Sequence, residues 1–141
     1  MILYVDTSAL VKLYIEEVGT LEVVSRVERA EGVATALVTY AEARAALARH
    51  QRGGGITGTE LRRAVRELDR QWTTYNVVHL SDALVHSAGA LAERHALRGY
   101  DAVQLATALD LRAVGGVVEF CAFDDRLNHA ARRERLVVSD V

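Results

Sequence analysis

A change from strand-forming to helix-forming residues stands at the start of the chain, in the segment Ile2-Leu3-Tyr4-Val5-Asp6-Thr7-Ser8-Ala9-Leu10. Its first four residues form a short apolar run rich in aliphatic side chains, which predicts a buried β-strand. Asp6, Thr7 and Ser8 follow at once and are residues that favour a helix N-terminus. The segment therefore predicts a strand that passes directly into a helix, as is typical of α/β proteins.

The same alternation of strand and helix continues along the whole chain. Apolar runs predict five strands, at residues 2–5, 33–38, 75–80, 117–123 and 136–139, with helical segments between them. Because parallel strands need long crossover connections, this order predicts a mostly parallel sheet of about five strands with helices on both faces. The sequence predicts a three-layer α/β/α sandwich, formed as a single domain over residues 1–141.

Composition narrows the class of protein further. Half of the residues are hydrophobic, yet no apolar run approaches the roughly 18 residues that a membrane span needs, so we expect no membrane association. The first strand has no basic region before Asp6, which argues against a signal peptide and favours the cytoplasm. Cys121 is the single cysteine, which excludes an internal disulfide and a zinc site built from paired cysteines.

Positive charge is concentrated in one part of the chain. Between Arg44 and Arg70 there are seven arginines and three acidic residues, a net charge of +4, whereas the whole chain carries −2. The arginine fork suits phosphate groups, but arginines on helices are also an ordinary solvated face. Both interpretations stay open for Arg44, Arg62 and Arg66, the candidates for contact with a nucleic-acid backbone.

Four acidic residues, Asp6, Glu42, Asp101 and Asp124, each lie where a predicted strand ends or a predicted helix begins. Ligands of open parallel sheets bind beyond the carboxyl ends of the strands, so all four side chains are expected at one crevice. Each could instead be a helix cap, and Thr39 with Glu42 fits a capping box. Four clustered carboxylates would repel one another, and bound Mg²⁺ or Mn²⁺ would remove that repulsion. The residues alone leave caps and metal ligands open.

Other catalytic patterns are absent from the sequence. The five histidines show no HExxH spacing, and the glycine run at 53–55 lacks the lysine and hydroxyl residue of a phosphate-binding loop. No GxSxG motif is present. A phosphatase of the haloacid-dehalogenase type needs a second Asp where Ser8 stands, and Lys12 is the only lysine, too early in the chain for a response-regulator receiver.

Each of the four acids lies in a short string that carries a family resemblance. The strings are VDTSAL at 5–10, TYAEAR at 39–44, LRGYDAVQLA at 97–106 and FDDRL at 123–127. In order and spacing they resemble the acidic motifs of PIN-domain ribonucleases, above all the VapC-type toxins of bacterial toxin–antitoxin pairs. A single string is a weak signal, whereas the ordered set is a specific one.

The resemblance implies an activity and a set of site residues. It implies a divalent-metal-dependent endoribonuclease that hydrolyses RNA phosphodiester bonds, with Mg²⁺ or Mn²⁺ bound by Asp6, Glu42, Asp101 and Asp124. It further implies a small antitoxin partner and a homodimer. Two roles stay open for Ser8: it could support a metal-ligating side chain without binding the metal itself, or it could cap a helix. The alternative from another class is a PIN-like interaction module without catalysis, against which the retention of four acids argues.

Two departures from the family pattern concern the fourth string. Family members often carry Ser or Thr two residues before the fourth acid, where this chain has Ala122. The doubled Asp124-Asp125 leaves two candidates for the fourth ligand. The Asp-x-Arg-Leu pattern selects Asp124, with Asp125 as the second candidate.

Overall fold

Five strands and seven helices make up the computed structural model, which describes residues 1–141. The strands are β1 (Ile2–Val5), β2 (Gly32–Ala36), β3 (Asn76–Val78), β4 (Val118–Cys121) and β5 (Val137–Val138). The helices are α1 (Thr7–Val11), α2 (Thr20–Arg29), α3 (Thr39–Arg52), α4 (Gly58–Trp72), α5 (Asp82–His95), α6 (Gly99–Val114) and α7 (Asp125–Arg133).

The sheet is parallel throughout, with strand order β3-β2-β1-β4-β5. β1 lies in the centre, the next two strands extend the sheet on one side, and the chain then crosses over to build β4 and β5 on the other. The strand order therefore reverses between β1 and β4. In parallel sheets such a reversal opens a crevice at the carboxyl ends of the two strands.

Side chains alternate between the two faces of the sheet and bury separate cores. Leu3 and Val5 pack against α1 to α4, whereas Tyr4 packs against α5, α6 and α7 and stacks on Phe120 with ring centroids 5.5 Å apart. Helices cover both faces, which confirms the predicted three-layer sandwich. No helix combines the length and apolar character that crossing a membrane requires.

A left-handed alanine, and not a glycine, separates α5 from α6. Gly99 is the first residue of α6. Helix α5 ends at His95 because Ala96 adopts a left-handed conformation with φ 53°. The amide of Leu97 then donates to the carbonyl of Ala92, a bond that closes helix ends of this type.

Gly19, the residue before α2, packs closely against the ring of Phe123, and a substitution can test this contact. Its φ is +98°, and a Cβ added there would lie 2.6 Å from Cε1 of Phe123. We expect Gly19→Ala to lower the free energy of unfolding by about 2 kcal/mol through strain and overpacking. Gly54, with φ +82° and no atom within 4 Å of its added Cβ, is the matched control and should lose roughly 1 kcal/mol. Urea denaturation measures both, and equal losses would show that the Phe123 ring moves aside without cost.

Candidate metal centre

The four acids predicted from the sequence line one cavity of about 320 Å³. Asp6 directly follows β1, and Asp124 lies three residues beyond the end of β4. Glu42 and Asp101 come from the first turns of α3 and α6. The cavity, hereafter the acidic cavity, therefore lies at the carboxyl edge of the sheet where the strand order reverses.

Asp6 is both a helix cap and a wall of the acidic cavity. Its Oδ1 accepts hydrogen bonds from the amide of Ala9 at 3.0 Å and from the hydroxyl of Ser8 at 2.7 Å. Burial, with smaller contributions from the charges of Asp101 and Glu42, raises the pKa of Asp6 to about 7 despite these two bonds. The side chain is thus a carboxylate whose ionisation the surrounding protein opposes.

Glu42 does not form the capping box that the sequence allowed. Helix α3 begins after Val38 without a side-chain cap. Oε1 of Glu42 instead accepts from the Thr7 hydroxyl at 2.8 Å and from Nε2 of Gln104 at 2.9 Å. Gln104 is itself buried and accepts a hydrogen bond from the hydroxyl of Tyr4. Neutral donors therefore fix one oxygen of Glu42, and the other is available to a ligand in the cavity.

Asp101 was considered as a helix cap, and the structure shows that this interpretation is wrong. The N-terminal cap of α6 is Arg98, and Asp101 is the third residue of the helix. Burial raises the pKa of Asp101, the charges of Asp124 and Glu42 raise it further, and Arg98 opposes them. The carboxylate of Asp101 thus lies near those of Asp124 and Glu42, and no hydrogen bond holds it there.

The doubled acids at the start of α7 occupy different places. Asp124 caps the helix through a bond from the amide of Leu127 to Oδ1 at 2.9 Å, and it lines the acidic cavity. Asp125 is exposed and does not line it. Ser8 accepts from the amide of Phe123 at 2.9 Å while donating to Asp6, so it ties the segment after β4 to the segment after β1.

Ala122 is fully buried just before this acidic pair. Its carbonyl accepts a hydrogen bond from Nδ2 of Asn128 at 2.8 Å, which anchors the loop after β4 to α7. The position therefore contributes backbone structure to the loop that carries Asp124, and it contributes no side-chain hydroxyl.

Several lining residues were not identified from the sequence. They are Thr7, Lys12, Glu17, Arg49, His50 and Gln104 among others. Helical spacing was the available signal: Gln104 follows Asp101 by one turn, and Arg49 and His50 follow Glu42 by two turns, which places them on the same helix faces. Lys12 pairs with Glu17 at 2.9 Å, so positive charge also borders the cavity.

The donor set of the acidic cavity fits a hydrated divalent cation. Carboxylate oxygens are the hard ligands that Mg²⁺ and Mn²⁺ take, and Mg²⁺ usually binds through one or two carboxylates while keeping several waters. No group of three acidic, histidine or cysteine side chains lies close enough together to hold a metal ion by itself. A cation in this cavity would therefore need water among its ligands, and the mutual repulsion of the acids supplies the electrostatic reason to bind one.

The three candidate arginines lie together in a second groove, between α3 and α4. Arg44, Arg62 and Arg66 line this arginine groove, which has a volume of about 740 Å³. Arg44 is positioned over the ring of Tyr40, 5.8 Å from its centroid, and donates to the Tyr40 hydroxyl at 3.0 Å. Residues distant in the sequence thus form one exposed basic surface whose α3 wall begins in the same turn as Glu42.

Comparison with known proteins gives a consistent family assignment. Residues 3–133 match the sequence model of a protein family that is described as the PIN domain. The chain is 37% identical over 130 residues to Ribonuclease VapC45 of Mycobacterium tuberculosis, covering 92% of this chain and 89% of that protein.

Solved structures show the same fold at lower identity. Mycobacterium tuberculosis VapC20, described as a Sarcin-Ricin loop cleaving toxin, superposes with a TM-score of 0.67 at 21% identity and covers 91% of this chain and 94% of its own. A toxin–antitoxin complex from Klebsiella pneumoniae gives a TM-score of 0.64 at 20% identity, covering 86% of this chain and 85% of that one. Profile, sequence identity and fold agree, and the chain belongs to the PIN-domain family, among its VapC-type members.

Proposed function

We propose that this protein is a divalent-metal-dependent endoribonuclease that hydrolyses phosphodiester bonds in RNA. The observation that carries the proposal is the gathering of Asp6, Glu42, Asp101 and Asp124 around one cavity at the carboxyl edge of the sheet. The ribonuclease name of the VapC relative supports the choice of RNA as substrate. Cleavage of RNA by the purified protein in Mg²⁺ or Mn²⁺, and its loss in excess EDTA, test the proposal directly.

The roles of the residues follow from their contacts. A hydrated divalent ion bound among these carboxylates would lower the pKa of a water and stabilise charge on the phosphoryl oxygens. Ser8 and the amide of Ala9 orient Asp6, whereas Thr7 and Gln104 orient Glu42. Such fixed positions matter because catalytic groups must be held in the reactive geometry before the reaction begins.

Asp101 has a different role in the proposed site. Its raised pKa and its lack of a fixing hydrogen bond suit a carboxylate that adjusts to the cation or takes a proton. Lys12 and Arg49 border the same cavity and would supply positive charge to the phosphate as it enters. The acids would then hold the cation while the basic side chains offset the charge of the substrate.

The biological role proposed here is that of a toxin in a toxin–antitoxin pair. The structural similarity to a toxin–antitoxin complex supports a small antitoxin partner. The family resemblance extends the proposal to a homodimer, to a single PIN domain over residues 1–141 and to a cytoplasmic location. Co-expression with the product of an adjacent short reading frame, followed by co-purification, tests for the antitoxin.

The arginine groove is proposed to hold the RNA backbone, and its contribution is measurable as a salt dependence. Arg62→Ala combined with Arg66→Ala should weaken binding of single-stranded RNA about tenfold and reduce the slope of log K against log salt by roughly 1.4, about 0.7 for each lost phosphate contact. Fluorescence anisotropy at several salt concentrations gives both values.

The matched control removes two exposed arginines elsewhere. Arg132→Ala with Arg133→Ala, in the last turn of α7, causes the same change in net charge. Its salt slope should remain that of the unmodified protein. Equal salt slopes in the two double variants would mean that Arg62 and Arg66 do not contact the RNA and belong to an ordinary solvated surface.

A further inference from the structure

We propose that a groove next to the acidic cavity is a binding subsite for the base adjacent to the scissile phosphate. The groove lies between α5 and the start of α6. Its lining includes Val85, Ala88, Tyr100 and Val103, together with the acids Glu42 and Asp101. We refer to it as the Tyr100 groove. The inference rests on the proposed function, because it assigns a place to part of the RNA substrate.

The Tyr100 groove adjoins the acidic cavity. Glu42 and Asp101 line both spaces, so these two side chains lie where the groove and the cavity meet. A nucleotide joins a phosphate to a base through one sugar. A phosphate held at the acids therefore places a neighbouring base at the entrance of the groove.

The size and chemistry of the Tyr100 groove suit a flat apolar ligand. Its volume is about 610 Å³, within the range of roughly 300–1,000 Å³ found for small-ligand pockets. Val85, Ala88, Ala92 and Val103 form the aliphatic part of its lining. Gly89 and Gly99 also line it, and a Cβ added at either would meet no atom within 4 Å, so open space continues over both residues.

Tyr100 is the feature that points to a base. Its residue is 63% exposed, and it is the only aromatic among the large exposed hydrophobic side chains. The other four tyrosines have hydrogen-bond partners within the chain, at Tyr4, Tyr14, Tyr40 and Tyr75. An exposed ring next to a catalytic acid matches the way in which proteins bind single strands, by stacking bases on aromatic side chains.

Arg98 adds the charge that a nucleotide needs. It is exposed, lines the Tyr100 groove and precedes the first residue of α6. Arg98 and Asp101 both line this groove, so positive charge lies beside the carboxylates where groove and cavity meet. The combination of an apolar wall, an aromatic ring and an arginine beside the acids favours a nucleotide over a purely apolar occupant.

The test measures binding rather than cleavage. Single-stranded RNA is titrated against Asp124→Asn protein, because Asp124 lines the acidic cavity but not the Tyr100 groove. Adding Tyr100→Ala should raise the Kd about tenfold, and adding Tyr100→Phe should change it less than twofold because the ring remains. Val114→Ala, on the exposed end of the same helix, is the control and should have no effect.

Abasic oligonucleotides identify the base that the ring contacts. Moving one abasic nucleotide along the RNA should reveal a single position at which binding by the Asp124→Asn protein falls about tenfold. The same abasic position should cause no further loss once Tyr100 is alanine, because ring and base then belong to one interaction. An unchanged Kd for Tyr100→Ala, or equal losses at every abasic position, would overturn the subsite.

Two further outcomes separate this inference from its alternatives. If Tyr100→Ala leaves RNA binding unchanged but lowers the sedimentation coefficient to that of a monomer, the groove is a contact between two copies and the inference is wrong. If the ring and abasic effects occur but the unmodified protein does not cleave RNA in Mg²⁺ or Mn²⁺, the subsite stands and the proposed hydrolysis fails.

Discussion

Asp101→Asn is expected to lower the rate of RNA cleavage by at least about a hundredfold, the loss that typically follows removal of one group that stabilises developing charge. The substitution keeps the size of the side chain and removes its negative charge from the acidic cavity. Asp101 neither caps α6 nor relies on a hydrogen bond, so the fold should not change. Single-turnover cleavage of a labelled RNA in Mg²⁺ or Mn²⁺ measures the effect.

Asp110→Asn is the matched control for this substitution. Asp110 belongs to the same helix and is exposed, and the chemical change is identical. Its cleavage rate should stay within twofold of the unmodified protein. Full activity in Asp101→Asn, or equal activity of the unmodified protein in EDTA, would contradict the proposed mechanism.

The same assay distinguishes the two acids at the start of α7. Asp124→Asn should cause a loss comparable to that of Asp101→Asn, because Asp124 lines the acidic cavity. Asparagine caps helices as well as aspartate does, so α7 should be retained. Asp125→Asn should be nearly silent because its side chain lies outside the cavity. The reverse order of effects would make Asp125 the fourth ligand.

Asp6→Asn is expected to stabilise the metal-free protein at about pH 8 by on the order of 2–4 kcal/mol. In the folded protein the pKa of Asp6 is raised from 3.8 to about 7. Between these values the folded state holds a proton that the unfolded state has lost, so stability falls as pH rises through this window and is lowest above it. Asparagine carries no charge at any pH and retains the oxygen that caps α1.

Urea denaturation from about pH 5 to pH 8 in EDTA checks this prediction. The advantage of Asp6→Asn should be small at the acidic end and grow towards pH 8. Asp110→Asn, an exposed position, should show no such pH-dependent gain. A stability gain of Asp6→Asn that is independent of pH would mean that ionisation of the buried Asp6 carboxylate is not what destabilises the unmodified protein.

Divalent metal should reverse the order of stability. A ligand that binds only the folded state stabilises it by an amount set by its concentration relative to Kd. Mg²⁺ or Mn²⁺ should therefore raise the melting temperature of the unmodified protein more than that of Asp6→Asn, whose ligand set lacks one charge. No shift in either protein would favour the interaction module without catalysis.

The fold could be predicted because its signals are local. Apolar runs of four to seven residues separated by helical segments allow few arrangements other than a parallel sheet covered on both faces. Two helix caps could also be predicted: Asp6 and Asp124 each accept the expected amide hydrogen bond. Strand ends were less accurate because apolar residues continue past the last paired residue, as in β3, which is limited to Asn76–Val78.

Reading the residues in chain order is enough to obtain the order of strands and helices, the positions of the four acids at their ends, and the motif strings that identify the family. The contacts of each acid depend on the folded chain. Oε1 of Glu42 accepts from Thr7 and Gln104 instead of forming a capping box, and of the doubled Asp124-Asp125 only Asp124 lines the acidic cavity. A cap depends on residues three positions away, whereas the hydrogen bonds of Glu42 join residues 35 and 62 positions apart in the chain, which no local pattern predicts.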